Sequence, residues 1–187
     1  MPTIKFLRGV ICLAFTGGYS LFKCNLLVTP KAVNKQNNQR AALVQTAENE
    51  VGVREKTGNN DGVMVEAYLA FVGLKKPEPW CAAFVCWVYA KNGFKKPRSG
   101  WSPDLFPSSR LARSALPGNI LGIYFPDKNR IAHVGIIIRE NDDWIYSVEG
   151  NTDVAGSREG DGVYRRMRHK RTIYKIADWV AERGKAK

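Results

Sequence analysis

The segment that most constrains the fold of this chain spans residues 78–89 and reads EPWCAAFVCWVY. Pro79 is tolerated at the start of a helix but not inside one, and the residues after it form an apolar run without glycine or proline. The sequence therefore predicts a buried helix with Cys81 in its first turn. The free N–H groups and the positive end of a helix dipole favour a thiolate there. Cys81 is either a nucleophile or, as most free cysteines are, a small core residue.

Two later segments favour the nucleophile. Residues 130–138 read RIAHVGIII and residues 146–152 read YSVEGNT, and each is typical of a strand. A cysteine, a histidine on one strand and an acid and an amide on the next are the parts of a nucleophile, base and orienting group. The alternative is a structural histidine followed by turn residues at a strand end. The candidate catalytic residues are Cys81, His133, Glu149 and Asn151.

Three short motifs, PWCAAFV, AHVGII and VEGNT, occur in this order. They resemble the nucleophile, histidine and Glu-x-Asn motifs of CHAP domains, a branch of the papain-like NlpC/P60 superfamily of peptidoglycan amidases and endopeptidases. The resemblance covers residues 41–179. It implies an α+β, papain-like CHAP fold in which N-terminal helices pack on an antiparallel β-sheet and the nucleophile begins a buried helix.

The same resemblance implies a function. Cys81, His133 and Glu149 would form a triad that hydrolyses an amide of peptidoglycan through a thioester, with Asn151 in support. The bond would join muramic acid to L-alanine or lie within the stem or cross-bridge peptide. Two alternatives keep the fold: a non-catalytic cell-wall-binding module, and an acyltransferase of the same superfamily. An inhibitor or immunity protein remains a possible partner.

Four residues near the motifs are candidate substrate contacts. One precedes the nucleophile, one lies in the long Pro-, Ser- and Arg-rich loop of residues 93–117, and two belong to the glycine-rich segment of residues 156–164. A long loop in a compact domain is usually functional or mobile. The four residues are Trp80, Trp101, Arg158 and Tyr164.

The loop at residues 54–62 contains Asn59, Asn60 and Asp61. Some CHAP domains bind calcium in this region, so the run could supply oxygen ligands. One acid falls short of the several carboxylates usual in a calcium loop. We therefore expect Asp61 to cap the next helix, and we expect no metal or other cofactor.

The chain carries 29 Lys and Arg against 17 Asp and Glu, a net charge of +12. Such a charge indicates a polyanionic partner or a solvated basic surface. An anionic cell wall fits the first interpretation. No RNP, zinc-finger or P-loop pattern accompanies the charge, so nucleic acid is not the expected partner.

The predicted organisation has three parts. Residues 1–30 read as a signal peptide or N-terminal membrane anchor, since Lys5 and Arg8 precede an uncharged apolar run. Residues 31–40 are polar and read as a linker, and residues 41–187 form the CHAP-like domain. This organisation predicts export in a bacterial or phage context, to a periplasmic, membrane-anchored or extracellular location. Within the domain we expect strands near residues 119–125, 131–138, 144–149, 162–167 and 172–176.

Overall fold

A computed structural model of the chain describes residues 30–181 and gives an α+β architecture. The predicted signal peptide or anchor lies outside the described residues, apart from Pro30. Helices α1 and α3 pack on one antiparallel sheet of six strands in the order β1-β6-β2-β3-β4-β5, and α2 packs on α3. The helices are α1 Pro30–Asn49, α2 Val63–Phe71 and α3 Cys81–Lys91. The strands are β1 Leu111–Ala112, β2 Ile120–Phe125, β3 Arg130–Asn141, β4 Trp144–Thr152, β5 Gly162–His169 and β6 Lys175–Ala177.

Five of the six strands coincide with the predicted ones, and their antiparallel pairing is confirmed. The sixth, β1, is a two-residue strand that pairs with β6 at the edge of the sheet. It lies in the loop at residues 93–117, where so short a strand leaves no alternating pattern in the sequence. No helix in the described part of the chain is long and apolar enough to cross a membrane.

The central helix α3 is apolar on every side because it is covered on every side. Tyr68 of α2 stacks at 5.7 Å between ring centroids on Trp80, which directly precedes α3. The same tyrosine makes edge contacts with Phe84 and Trp87 at 5.5 and 5.1 Å. On the sheet side, Gly150 of β4 lets α3 approach closely. A Cβ at Gly150 would stand 2.6 Å from Trp80 and 2.9 Å from Phe84.

The residues predicted as a linker, 31–40, are helical and belong to α1. The segment has no apolar residues at helical spacing. Polar contacts of Arg40 hold it to the rest of the domain instead. Arg40 is buried, and its Nη2 donates to Oδ2 of Asp178 at 2.6 Å. Its Nη1 donates to Oδ1 of Asn119 at 2.7 Å and to the carbonyl of Pro117 at 3.1 Å. A buried arginine with these partners cannot be recognised from polar composition alone.

We expect Arg40→Met to lower the free energy of unfolding by about 3–5 kcal/mol, because it leaves the buried carboxylate of Asp178 without its cation. Urea unfolding followed by circular dichroism measures the change. Asn38→Met, at an exposed position of the same helix, is the control and should change stability by no more than about 0.5 kcal/mol. Equal effects of the two variants would show that α1 is not anchored through Arg40.

Candidate active site

Cys81 is the first residue of α3, as the sequence predicts. Its own N–H therefore has no acceptor one turn earlier in the helix. The side chain is nearly buried, and its Sγ lies 3.6 Å from the hydroxyl oxygen of Ser102. The thiol borders a cleft of about 400 Å³ that Trp101, Arg130 and Arg158 also line. Cys81 is thus placed at the start of a helix and at the wall of a cleft.

His133 and Glu149 lie on adjacent strands, β3 and β4, and both are buried. Nε2 of His133 is 2.9 Å from Oε2 of Glu149. Gly135, two residues beyond His133 on the same strand, provides the space for the acid, because a Cβ there would stand 2.5 Å from Cγ of Glu149. The predicted pairing of base and acid is therefore present in the structure.

The other ring nitrogen of His133, Nδ1, has no hydrogen-bond partner among the described residues. Since Nε2 faces Glu149, Nδ1 is the nitrogen left to exchange a proton with Cys81. Catalytic hydrogen bonds are often loose before a substrate binds. In the neutral ring of His133 the carboxylate of Glu149 favours hydrogen on Nε2, which leaves Nδ1 as the acceptor.

The charges of the three residues support one another. Burial opposes the thiolate of Cys81, but His133 and Ser102 outweigh it, so the pKa of Cys81 is lowered. Burial likewise opposes the imidazolium, yet contacts with Cys81 and Glu149 raise the pKa of His133 to about 9. Burial also opposes the carboxylate, yet hydrogen bonds lower the pKa of Glu149 to about 2. The site thus favours a thiolate beside an imidazolium.

Glu149 has two further partners that the sequence analysis missed. Ser147 donates its hydroxyl to Oε1 at 2.7 Å. Arg168 donates from Nε to Oε1 at 3.0 Å and from Nη2 to Oε2 at 2.5 Å. The spacing of Ser147, two residues before Glu149 on one strand face, is a signal that could have been used. Arg168 stands in a run of basic residues, and nothing in the sequence separates it from its neighbours.

Arg168 also ties the catalytic acid to the loop at residues 153–161. Its Nη1 donates to the carbonyl of Gly156 at 3.2 Å. The neighbouring arginine of the same strand face, Arg166, donates to the carbonyls of Asp153 and Val154. The loop that carries Arg158 is therefore held by the strand that supports Glu149.

Asn151, which the sequence predicts in a supporting role, lies near the end of β4. It is buried, with φ at 55°, and its amide orientation is assigned from its neighbours. The oxygen accepts from the backbone N–H of Trp80 at 3.2 Å. The nitrogen donates to Oδ1 of Asn60 and to the carbonyl of Gly160, both at 3.1 Å. Asn151 thus positions the residue before the nucleophile.

Of the four predicted substrate contacts, two lie in the Cys81 cleft. Trp101 is half exposed there, and Arg158 lines the same cleft. Trp80 is fully buried, and its Nε1 donates to Glu55 at 2.8 Å, so it is a core residue, contrary to the prediction. Tyr164 lines a neighbouring depression of about 630 Å³, and its hydroxyl donates to Asp161 at 2.7 Å.

The loop considered for calcium is organised by its own hydrogen bonds. Both carboxylate oxygens of Asp61 accept from Thr57 at 2.9 Å, and these bonds lower the pKa of Asp61. The predicted cap is wrong, because Gly62 is the N-cap of α2 and no side chain caps it. Asn59 donates to the Thr57 hydroxyl, and Asn60 donates to the carbonyl of Pro77. Among the described residues no group of three or more His, Cys, Asp or Glu side chains could hold a metal ion.

Comparisons of the chain with protein-family models, with curated proteins and with solved structures found no match. What the protein does must therefore be inferred from the geometry of its residues. That geometry places a thiol at the wall of a cleft and pairs the imidazole near it with a buried carboxylate. Such a set can transfer an acyl group through a thioester.

We expect Cys81 to react with iodoacetamide below the usual thiol pKa of about 8.5, because His133 stabilises its thiolate. Peptide mass spectrometry of the alkylated chain across a pH series measures the rate. In His133→Gln the thiolate of Cys81 loses its cation, while burial still raises the pKa of the thiol. Alkylation of Cys81 should then begin only above the usual thiol pKa.

Cys86 of the same chain is the internal control for that experiment. It is fully buried, and burial raises its pKa to about 12, so it should stay unmodified throughout. Alkylation of Cys81 only above about pH 8.5 in the wild type would contradict the thiolate–imidazolium pair.

Proposed function

We propose that the chain is a cysteine amidase or endopeptidase with a papain-like fold of the CHAP type, and that it hydrolyses peptidoglycan. The observation that carries the proposal is the contact of His133 with Glu149 at 2.9 Å beside a thiol with lowered pKa. The three motifs that resemble those of CHAP domains contain these same residues. The order of elements also fits, with the nucleophile at the start of a helix that packs on an antiparallel sheet.

In the proposed reaction the Cys81 thiolate attacks the amide carbon and a tetrahedral oxyanion forms. The N–H of Cys81 is one donor for the oxyanion, and the hydroxyl of Ser102 is close enough to the sulfur to be a second. The imidazolium of His133 gives its proton to the leaving amine, and the C–N bond breaks. A thioester remains on Cys81.

Hydrolysis of the thioester completes the cycle. His133, now neutral, takes a proton from water, and the hydroxide attacks the acyl carbon. The C–S bond breaks, the acid product leaves and the thiolate–imidazolium pair is restored. Glu149 holds the ring in place in both steps and stays ionised, because His133 and Arg168 lower its pKa.

The charged groups of the cleft favour peptidoglycan over a lipid as the acyl donor. Its lining combines apolar groups with Ser99, Ser102, Arg130 and Arg158. An acyltransferase that acts on lipid would be expected to enclose its chain in apolar surface. The net charge of +12 also suits an anionic wall, and export to that wall is part of the proposal.

A digest of purified peptidoglycan with the full-length chain tests the proposal. Mass spectrometry of the soluble products should show muropeptides, and their masses identify the bond between muramic acid and L-alanine or one in the peptide. Chain that sediments with the wall and releases nothing would indicate the non-catalytic binding module. Transfer of an acyl group to an added amine without release of acid would indicate an acyltransferase.

A further inference from the structure

Two arginines line the cleft together with Cys81. Arg130 begins β3 and pairs with Phe125 of β2. Arg158 lies in the loop at residues 153–161, and its guanidinium carbon is 6.0 Å from the centre of the Phe125 ring. Both arginines therefore neighbour Phe125, Arg130 through the strand pairing and Arg158 through its side chain.

Arg130 is held in place without an acidic partner in the described part of the chain. Its guanidinium lies 4.0 Å over the ring of Trp101, which fixes its plane. Its Nη1 donates to the carbonyl of Ile131 at 3.0 Å, the one hydrogen bond that the described residues give its side chain. A guanidinium has five N–H donors, so most of those on Arg130 remain for a ligand.

Arg158 pairs with Glu159; the arginine side chain is 20% exposed and the glutamate side chain 58%. An ion pair whose acid is open to solvent contributes little, so a ligand carboxylate can replace Glu159. The loop around Arg158 is nevertheless ordered. Asp153 accepts hydrogen bonds from the N–H groups of Gly156 and Ser157 at 2.7 and 3.0 Å, and Arg168 donates to the carbonyl of Gly156.

We propose that Arg130 and Arg158 form a carboxylate-binding subsite beside Cys81, so that the enzyme prefers amides in peptides that carry a free carboxylate near the scissile bond. This inference rests on the proposed function and names the substrate class for that site. Guanidinium groups bind carboxylates through paired, charge-assisted hydrogen bonds. Glu78 is the one carboxylate among the residues that line the cleft, so cations outnumber anions there two to one.

The test uses synthetic muramoyl stem peptides in two forms, with carboxylates either free or converted to carboxamides. The full-length chain should cleave the free form with a kcat/KM about tenfold to a hundredfold higher. Arg130→Gln and Arg158→Gln should each reduce that ratio, mainly through KM. Arg130→Lys and Arg158→Lys keep the positive charge but lose the planar guanidinium that donates paired hydrogen bonds. They should keep part of the preference for the free carboxylate.

Arg113→Gln is the matched control, because Arg113 is exposed and lines a different groove that contains Ile145 and Ile173. In this variant the ratio of kcat/KM for the free peptide to kcat/KM for the carboxamide peptide should equal that of the wild type. Equal kcat/KM values for the two peptide forms would overturn the subsite while leaving the proposed function in place. An equal loss of preference in Arg113→Gln would also overturn it, since net charge alone would then explain the effect.

Binding to full-length Cys81→Ala, measured by calorimetry with the same peptides, separates this inference from the proposed function. If neither form is cleaved and purified peptidoglycan is not digested either, the proposed function fails. The subsite is still supported if the free form binds at least about tenfold more tightly and Arg130→Gln removes the difference. Equal binding of both forms, or binding of neither, overturns it.

Discussion

Cys81→Ala is expected to abolish the release of muropeptides, with a fall in kcat of about 10⁴-fold or more. The reaction as proposed has no other nucleophile, since the thiolate both attacks the amide carbon and carries the acyl group. The substitution removes only a sulfur at the wall of a cleft, so the protein should remain folded. Thermal unfolding by circular dichroism checks the fold, and a peptidoglycan digest followed by mass spectrometry measures the activity.

Cys86→Ala is the matched control, because it removes the same atom from the same helix. Cys86 is fully buried, its sulfur meets the backbone of Ser99, and burial raises its pKa to about 12. Such a thiol has no part in the chemistry, and the variant should keep most of its activity. Activity in Cys81→Ala equal to that of Cys86→Ala would show that Cys81 is not the nucleophile.

The centre of the candidate site could be predicted because it depends on local pattern. Pro79 and the apolar run after it fix where α3 begins, and that start places Cys81 at the helix N-terminus. Short apolar, β-branched runs bounded by turn residues mark the two strands that carry His133 and Glu149. Once the strands pair, contact between the two side chains follows from their position on one face.

The supporting residues could not be predicted because they act over long separations in sequence. Arg168 meets Glu149 from a strand 19 residues away, and Asn60 reaches Asn151 from the loop before α2. Arg40 reaches Asp178 from 138 residues away. Each is a polar side chain that reads as solvent-exposed in the sequence, and only the tertiary structure shows that it is paired and, for Arg40, buried.

Trp80 is an aromatic residue whose exposure could not be predicted from the sequence. A tryptophan beside a nucleophile suggests a surface that stacks on a substrate. In the structure the ring packs on Tyr68 and donates to Glu55, so it fixes the approach of the chain to α3. The sequence gives the identity of an aromatic side chain but not the direction in which the backbone points it.

Glu149→Gln is expected to reduce kcat by about 10²- to 10⁴-fold while Cys81 and His133 remain. The carboxylate accepts from His133, Ser147 and Arg168. A glutamine amide can place its oxygen toward only part of this set, and its NH₂ group then faces a donor. Without the carboxylate the pKa of His133 should fall from about 9, because Glu149 is one of the groups that raise it.

The same substitution should also destabilise the protein, by about 3 kcal/mol at neutral pH, since it leaves Arg168 without its counter-ion. The deficit relative to the wild type has a defined pH dependence. It should be complete between about pH 4.5 and 6.5 and shrink as the pH falls toward about 2, where the wild-type carboxylate also becomes protonated. Part of the deficit comes from the lost ion pair between Glu149 and protonated His133. That part should disappear as the pH rises from 6.5 through about 9, where His133 of the wild type loses its proton.

Glu140→Gln provides the control, because Glu140 is a partly exposed acid on β3 that pairs with Lys170. It should keep full activity and lie within about 0.5 kcal/mol of the wild type. The two variants are compared by kcat on peptidoglycan and by urea unfolding between pH 2 and pH 9, the window set by the cited pKa values. If Glu149→Gln matched Glu140→Gln in kcat, Glu149 would not orient the base, and His133 would have to be held by the packing of β3 alone.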